Sequence, residues 1–215
     1  MKALDRKLLR DLLAMWSQAL TIALVVASGV GGFLTTLSAV DSLALARDRF
    51  YEQGHFADVF AAVKRAPNAL LPTLRQIDGV ADVQASIEEV VRITLPGVSD
   101  PVIGQLIGMD RRQPQRLNLI TLRSGHAADA SMSPGQAQSD GSLPVWVSES
   151  FATAHALRPG ARLSALVNGR QRALVVAGVA LSPEYIFAGL WGMPDQRGFG
   201  VFWLDQDALA AAYDM

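Results

Sequence analysis

His55, His126 and His155 are the only histidines in the 215-residue chain, and imidazole is the side chain best suited to moving protons near neutral pH or to holding zinc. None of the three stands in an H-E-x-x-H pattern or any other ligand spacing, so solvated surface positions account for them better than a metal or catalytic role. Glu88 and Glu89 resemble a carboxylate pair, but neighbouring residues on a strand point to opposite faces and cannot share a substrate. Ser148 and Ser150 lack the flanking glycines of a nucleophile elbow, and Ser148 is placed to cap a helix instead. No G-x-x-x-x-G-K-[ST] loop occurs, so any ATP would have to be bound by a partner. The absence of cysteine removes disulfides, thiolate zinc sites and cysteine nucleophiles together. No cofactor, no metal and no enzymatic chemistry are expected.

The elements around these residues belong to an outer domain over 55–215. His55–Val63 (HFADVFAAV) reads as a strand, Pro67–Ile77 as a helix closed by Gly79, and Val83–Leu95 with Val102–Met109 as a strand pair joined by a PGVSDP turn. This predicts a β-α-β-β opening. Residues 124–144 are rich in Ser, Gly, Ala, Asp and Pro without periodicity, which marks a flexible surface loop and the best position for an internal boundary. Val145–Val147 reads as a strand, Ser148–Leu157 as a capped helix, and Arg158-Pro159-Gly160 as its stop. Arg162–Val167 and Gln171–Leu181 flank Asn168-Gly169, the dipeptide that supplies the positive φ angles of a tight hairpin. Phe199–Leu204 is a last strand, and Asp205 opens a short helix with acidic residues in its first turn. Trp191, Met193, Phe199, Phe202 and Trp203 form an aromatic-rich region, either core or a lipid- or partner-facing patch, with core favoured. The fold class expected is α+β, a mixed domain with β-α-β-β units and a hairpin-rich second half.

What precedes this domain is of another kind. Between Asp11 and Asp41 no charged residue occurs. A helix needs about 20 apolar residues to cross a hydrocarbon layer roughly 30 Å thick, where each backbone amide must bond internally. Leu20, Ile22, Leu24, Val25, Val26, Val30, Phe33, Leu34 and Leu37 each favour insertion by about 0.3–0.6 kcal/mol. Residues 17–40 are therefore assigned to a membrane helix. Lys2, Arg6, Lys7 and Arg10 precede it while only Arg47 and Arg49 follow closely, which places the N-terminus in the cytoplasm and the outer domain across the membrane. A basic start and Ala44-Leu45-Ala46 also suggest a cleaved signal peptide. The apolar run is, however, about twice the usual signal core of 7–15 residues, and the cleavage site would lie beyond Asp41.

Residues 1–16 form an amphipathic segment, with Leu4, Leu8, Leu9, Leu12, Leu13 and Trp16 on one side and the cytoplasmic basic face Arg6, Lys7 and Arg10, with Asp11, on the other. It can lie on the inner leaflet against anionic lipid, serve as a basic flank, or offer a surface to a cytoplasmic partner. Within the membrane helix Ser17, Thr21, Ser28, Gly31, Thr35 and Ser38 fall on one side. Ser28 and Gly32 add a small-xxx-small spacing, so Ser28, Gly31, Gly32 and Thr35 are the residues expected to pack on neighbouring helices. Residues 41–54 continue outward as a helical stalk that Gly54 ends. The GVGG at 29–32 lies inside an apolar run and is no dinucleotide loop. With 19 Lys+Arg against 20 Asp+Glu, nucleic-acid binding is disfavoured.

The basic start with one span, the Phe-Ala-Asp-Val-Phe-Ala segment, and VWVSESFATAHALRPGARLSALVNGRQRALVVAGVAL at Val145–Leu181 together resemble the FtsX-like, MacB-type permeases of ABC transporters. Arg6–Leu37 is similar to that family's opening. Its "strand, Ser/Glu helix, Leu-x-Pro-Gly, hairpin, Val-x-Gly-Val" run matches Val145–Leu181. The motifs are structural, so they bear on fold more than on substrate. The resemblance implies a bacterial inner-membrane protein with a periplasmic core domain, a separate cytoplasmic ABC ATPase as partner, other permease helices or a second permease copy beside the membrane helix, and a periplasmic partner. It implies export or extraction of lipophilic or lipoprotein cargo through transmitted motion. Members continue into three further membrane helices, so a chain ending at Met215 is expected to correspond to an N-terminal part, completed by a continuation or a second polypeptide. The alternative is a membrane-anchored periplasmic binding or scaffold module that regulates envelope proteins without a transport cycle.

Overall fold

The computed structural model describes residues 3–127, 134–186, 188–189 and 193–214. The chain divides into two compact units, Met1–Phe50 and Tyr51–Met215. The first consists of α1 (Ala3–Ala14) and most of α2 (Trp16–Gln53), separated at Met15. With 38 residues, α2 is about 57 Å long at 1.5 Å per residue. The stretches expected as membrane span and as stalk are one uninterrupted helix, and none of its residues is buried.

In the second unit the segment 55–66 holds neither helix nor strand, which corrects the strand expected at His55–Val63. Its apolar positions Phe56, Val59, Phe60 and Val63 do not alternate, so no single sheet face can bury them, and all four stay exposed. The helix expected over Pro67–Ile77 is shorter, a 3₁₀ turn at Asn68–Leu70 followed by α3 (Leu71–Arg75).

Seven strands follow: β1 (Glu88–Thr94), β2 (Val102–Met109), β3 (Thr121–Gly125), β4 (Leu143–Ser148), β5 (Arg162–Val167), β6 (Arg170–Leu181) and β7 (Phe199–Asp205). They run in the order β3-β6-β4-β7-β2-β1-β5, and β5 also pairs with β6. Six strands thus close into a barrel, with β3 laid on the remaining length of β6. This replaces the expected β-α-β-β arrangement. Local patterning locates hairpins such as β5–β6, whereas the long-range pairings β2–β7, β4–β6 and β1–β5 that close the ring have no signature in adjacent residues. The Asn168-Gly169 turn forms as expected, with both residues at positive φ and Val167 opposite Arg170.

β3 and β4 flank the loop expected at 124–144 and both bond to β6, so no boundary falls there; residues 128–133 of that loop lie outside the described residues. α4 (Glu149–Ala154) ends earlier than the expected Leu157, and its capping differs. The Ser148 hydroxyl does not cap it but accepts the Val201 N–H at 3.3 Å, tying β4 to β7. Asp205 does cap α5 (Gln206–Ala212), accepting the Ala208 N–H at 3.0 Å.

The barrel interior holds Val91, Ile93, Leu106, Val145, Val147, Leu174, Val176 and Phe202, and is covered by Phe151 of α4 and Leu209 of α5. A second apolar layer gathers Ile107, Trp146, Ala177, Phe199, Val201 and Trp203. Phe199, Phe202 and Trp203 are therefore core, as favoured; Met193 is exposed, and Trp191 lies outside the described residues. Gly104 of β2 stands opposite Gly200 of β7. A Cβ on Gly200 would sit 2.8 Å from Phe151 Cγ and 2.9 Å from Phe202 Cε2, and one on Gly104 would sit 2.5 Å from Ile93 Cγ1. The paired glycines make the room in which the Phe151 and Phe202 rings meet edge to face at 5.5 Å. Gly200→Ala is expected to destabilise the domain by about 1–3 kcal/mol through overpacking. Thermal melting followed by tryptophan fluorescence checks this, and an unchanged midpoint would contradict it.

Candidate functional site

In the first unit, Ser28, Gly31, Gly32 and Thr35 are exposed on α2, and added Cβ atoms at Gly29, Gly31 or Gly32 would meet nothing within 4 Å. Thr35 donates its hydroxyl to the Gly31 carbonyl at 2.7 Å, Thr36 to Gly32 at 3.0 Å and Thr21 to Ser17 at 2.9 Å. These are the i−4 bonds through which Thr satisfies its hydroxyl within its own helix. Arg6, Lys7 and Arg10 are exposed on α1 together with Leu4, Leu8 and Leu13. Among the described residues α2 is the one helix long and apolar enough to cross a membrane.

In the second unit the residues singled out for chemistry are dispersed. His55 points its Nδ1 at the Arg116 carbonyl, 3.0 Å away, and His155 its Nε2 at the Arg197 carbonyl, 2.8 Å away. His126 binds through its backbone, its N–H donating to Ala177 and its carbonyl accepting the Trp146 indole N–H. Among the described residues no three His, Cys, Asp or Glu side chains gather in a metal-holding group. Glu88 and Glu89 lie on opposite faces of β1 as expected: Glu88 meets Gln105 of β2, while Glu89 lies toward Tyr213.

The structure does assemble one polar cluster that the sequence reading missed. Gln105 Nε2 lies 2.9 Å from Glu88 Oε2 and 3.3 Å from the Tyr185 hydroxyl, and Ser86 donates to Glu88 Oε1 at 3.0 Å. Glu184 completes the group, accepting Asn118 Nδ2 at 2.9 Å. Burial raises the Glu184 carboxyl above its ordinary value, with a smaller push from the Glu88 charge. Burial likewise raises the Tyr185 phenol, helped by the same two carboxylates, so Tyr185 remains a protonated donor between them. No spacing in the sequence links positions 88, 105, 118 and 184; the outward face of β2 and the turn after β6 bring them together.

Tyr185 also borders a cavity of about 260 Å³ whose lining includes Ser148, Ser150, Thr153, Ser182 and Trp203. The lining is rich in hydroxyls and carries one charged group, Glu149, which pairs with Arg123 at 3.5 Å. Elsewhere, hydrogen bonds hold two carboxyls below their usual range: the half-buried Asp82 chiefly through the Val83 N–H, and the exposed Asp140 chiefly through the Ser142 hydroxyl.

No protein-family model matches this chain and no curated protein does. Among solved structures, the extracellular domain of the noncanonic ABC-type transporter YknZ from Gram-positive bacteria is similar over 69% of this chain at 13% identity, with a TM-score of 0.39. The chain spans 66% of that domain's length, just under two thirds. So slight a likeness defines no shared fold.

A raised Glu184 value means that the folded chain holds this proton more tightly than the unfolded chain does. Its contribution to stability is therefore present at acid pH and is lost as pH rises through the folded value. Glu184→Gln keeps an oxygen for Asn118 and removes the buried charge. The variant is expected to melt higher than the parent at neutral pH, and to lose part of the parent's gain in melting temperature between neutral pH and about pH 5. Identical pH profiles for the two proteins would refute the assignment.

Proposed function

We propose that this chain is the permease subunit, or the N-terminal portion of one, of an ABC transporter in a bacterial inner membrane, its N-terminus cytoplasmic and its barrel domain periplasmic. The reading is carried by α2. A helix in water normally buries one apolar stripe, whereas α2 buries no residue and carries no charge on any side from its start at Trp16 as far as Val40. Between Asp41 and Gln53 it contains neither Gly nor Pro, and the helix continues unbroken from the apolar segment to Gln53. The local order expected of Val145–Leu181 from the family resemblance is present as β4, α4, a Leu157–Gly160 turn and the β5–β6 hairpin.

In this reading a separate cytoplasmic ATPase supplies the energy. Arg6, Lys7 and Arg10 face that ATPase and the anionic inner leaflet. Ser28, Gly31, Gly32 and Thr35 pack on other permease helices or on a second copy, and displacement of α2 reaches the periplasmic domain. Lipophilic or lipoprotein cargo and a periplasmic partner complete the scheme.

The test is expression in a bacterial membrane with two sets of variants. Val26→Asp with Val30→Asp costs roughly 2.5–3.5 kcal/mol of insertion for each residue, and should move the protein into the carbonate-soluble fraction. Replacing Arg6, Lys7 and Arg10 by Gln should keep it in the membrane and abolish co-purification of a stoichiometric ATP-binding subunit. An integral protein that never retains an ATP-binding subunit would overturn the permease reading in favour of an anchored scaffold; a parent chain that carbonate extracts would overturn both.

A further inference from the structure

Asn118 sits at φ +51°, a left-handed conformation that Asn tolerates better than most residues, and every polar group it carries is engaged. Its N–H donates to the His55 carbonyl at 3.0 Å, and its own carbonyl accepts Gln115 Nε2 at 2.8 Å. Its side-chain Oδ1 accepts the Ala57 N–H at 3.0 Å, while Nδ2 donates to Glu184 Oε2 at 2.9 Å. The neighbouring Leu119 N–H donates to the Gly54 carbonyl at 2.7 Å. The first residues beyond α2 are thus bonded to the loop 115–119. That loop is itself held by Gln84, whose Oε1 accepts the N–H groups of Arg116 and Leu117.

The two arms of one amide lead in different directions: one to Ala57, four residues past the end of α2, the other to the Glu184–Tyr185 turn that borders the hydroxyl-lined cavity. We infer that Asn118 is a coupling residue, joining the segment that leaves α2 to the cavity-bordering turn so that the two shift together. The inference deepens the permease reading, since it names the residue through which motion of α2 would enter the barrel domain. An amide serves where a carboxylate would not, because the joint needs an acceptor for a backbone N–H and a donor for a carboxylate on one short side chain.

Hydrogen exchange by mass spectrometry on the full chain in detergent tests it. Asn118→Gly keeps the backbone conformation and removes both arms. Exchange is expected to rise roughly fivefold, the factor that the loss of one ordinary hydrogen bond produces, in peptides over 54–60 and over 182–186 alike, with β2 and β7 unchanged. Asn118→Asp retains the acceptor for Ala57 and sets a carboxylate against Glu184, so it should loosen 182–186 most and 54–60 through it. Glu184→Ala, whose side chain reaches 54–60 by hydrogen bonding only through Asn118, should raise exchange there too, and the Asn118→Gly/Glu184→Ala pair should add nothing further at 54–60. Additive effects, a rise confined to one of the two peptides, or a rise across every strand would overturn the inference. The readout does not depend on membrane insertion or on an ATPase, so its failure is distinct from failure of the permease reading.

Discussion

Closure of the sheet is the constraint on which the second unit depends. β5 bonds to β6 through a tight turn and to β1 across about 70 residues of sequence, and in doing so gives each of the six ring strands a partner on both sides. Barrel diameter grows with strand number and about eight strands leave an interior that side chains just fill, so a ring of six has a narrower one. Its walls must then be thinned wherever a large ring enters. The facing Gly104 and Gly200 perform that thinning, and Phe151 and Phe202 occupy what they vacate. The polar cluster and the cavity are carried by this ring, since Gln105, Ser148 and Trp203 stand on strands that closure holds in register.

Legibility in the sequence followed the range of the interaction. The Asn168-Gly169 hairpin, the strand at Val102–Met109 and the short helix that Asp205 opens are decided within a few residues and were readable, as was the apolar stretch that forms most of α2. Barrel closure, β3 and the loss of the strand at His55–Val63 depend on which distant backbone offers a partner, and alternation of neighbours does not report that. Ser148 illustrates the difference on one side chain. Local rules assign its hydroxyl to the helix beginning next to it, whereas the folded chain presents it with the Val201 amide from a strand 53 positions away. The cluster at Glu88, Gln105, Asn118, Glu184 and Tyr185 was unreadable for the same reason, being a product of topology.

Three glycines within four residues would weaken an isolated helix in water by about 0.5–1 kcal/mol apiece. In α2 they occur in an apolar run, and inside a hydrocarbon layer such a run would have no competing conformation, because an unbonded peptide group costs several kcal/mol there. The same residues that lower intrinsic helix propensity leave a shallow strip along the helix surface.

That strip has a further property. Thr35 and Thr36 have already committed their protons to the carbonyls of Gly31 and Gly32, the two glycines that flatten it. What a neighbour would encounter there is a contour with its polarity turned inward, so adhesion would come from closeness of fit over a groove and not from hydrogen bonds exchanged across it. A groove of that sort discriminates by thickness: it admits a slender backbone and rejects a bulky one, which lets companions change or slide without breaking any directed bond.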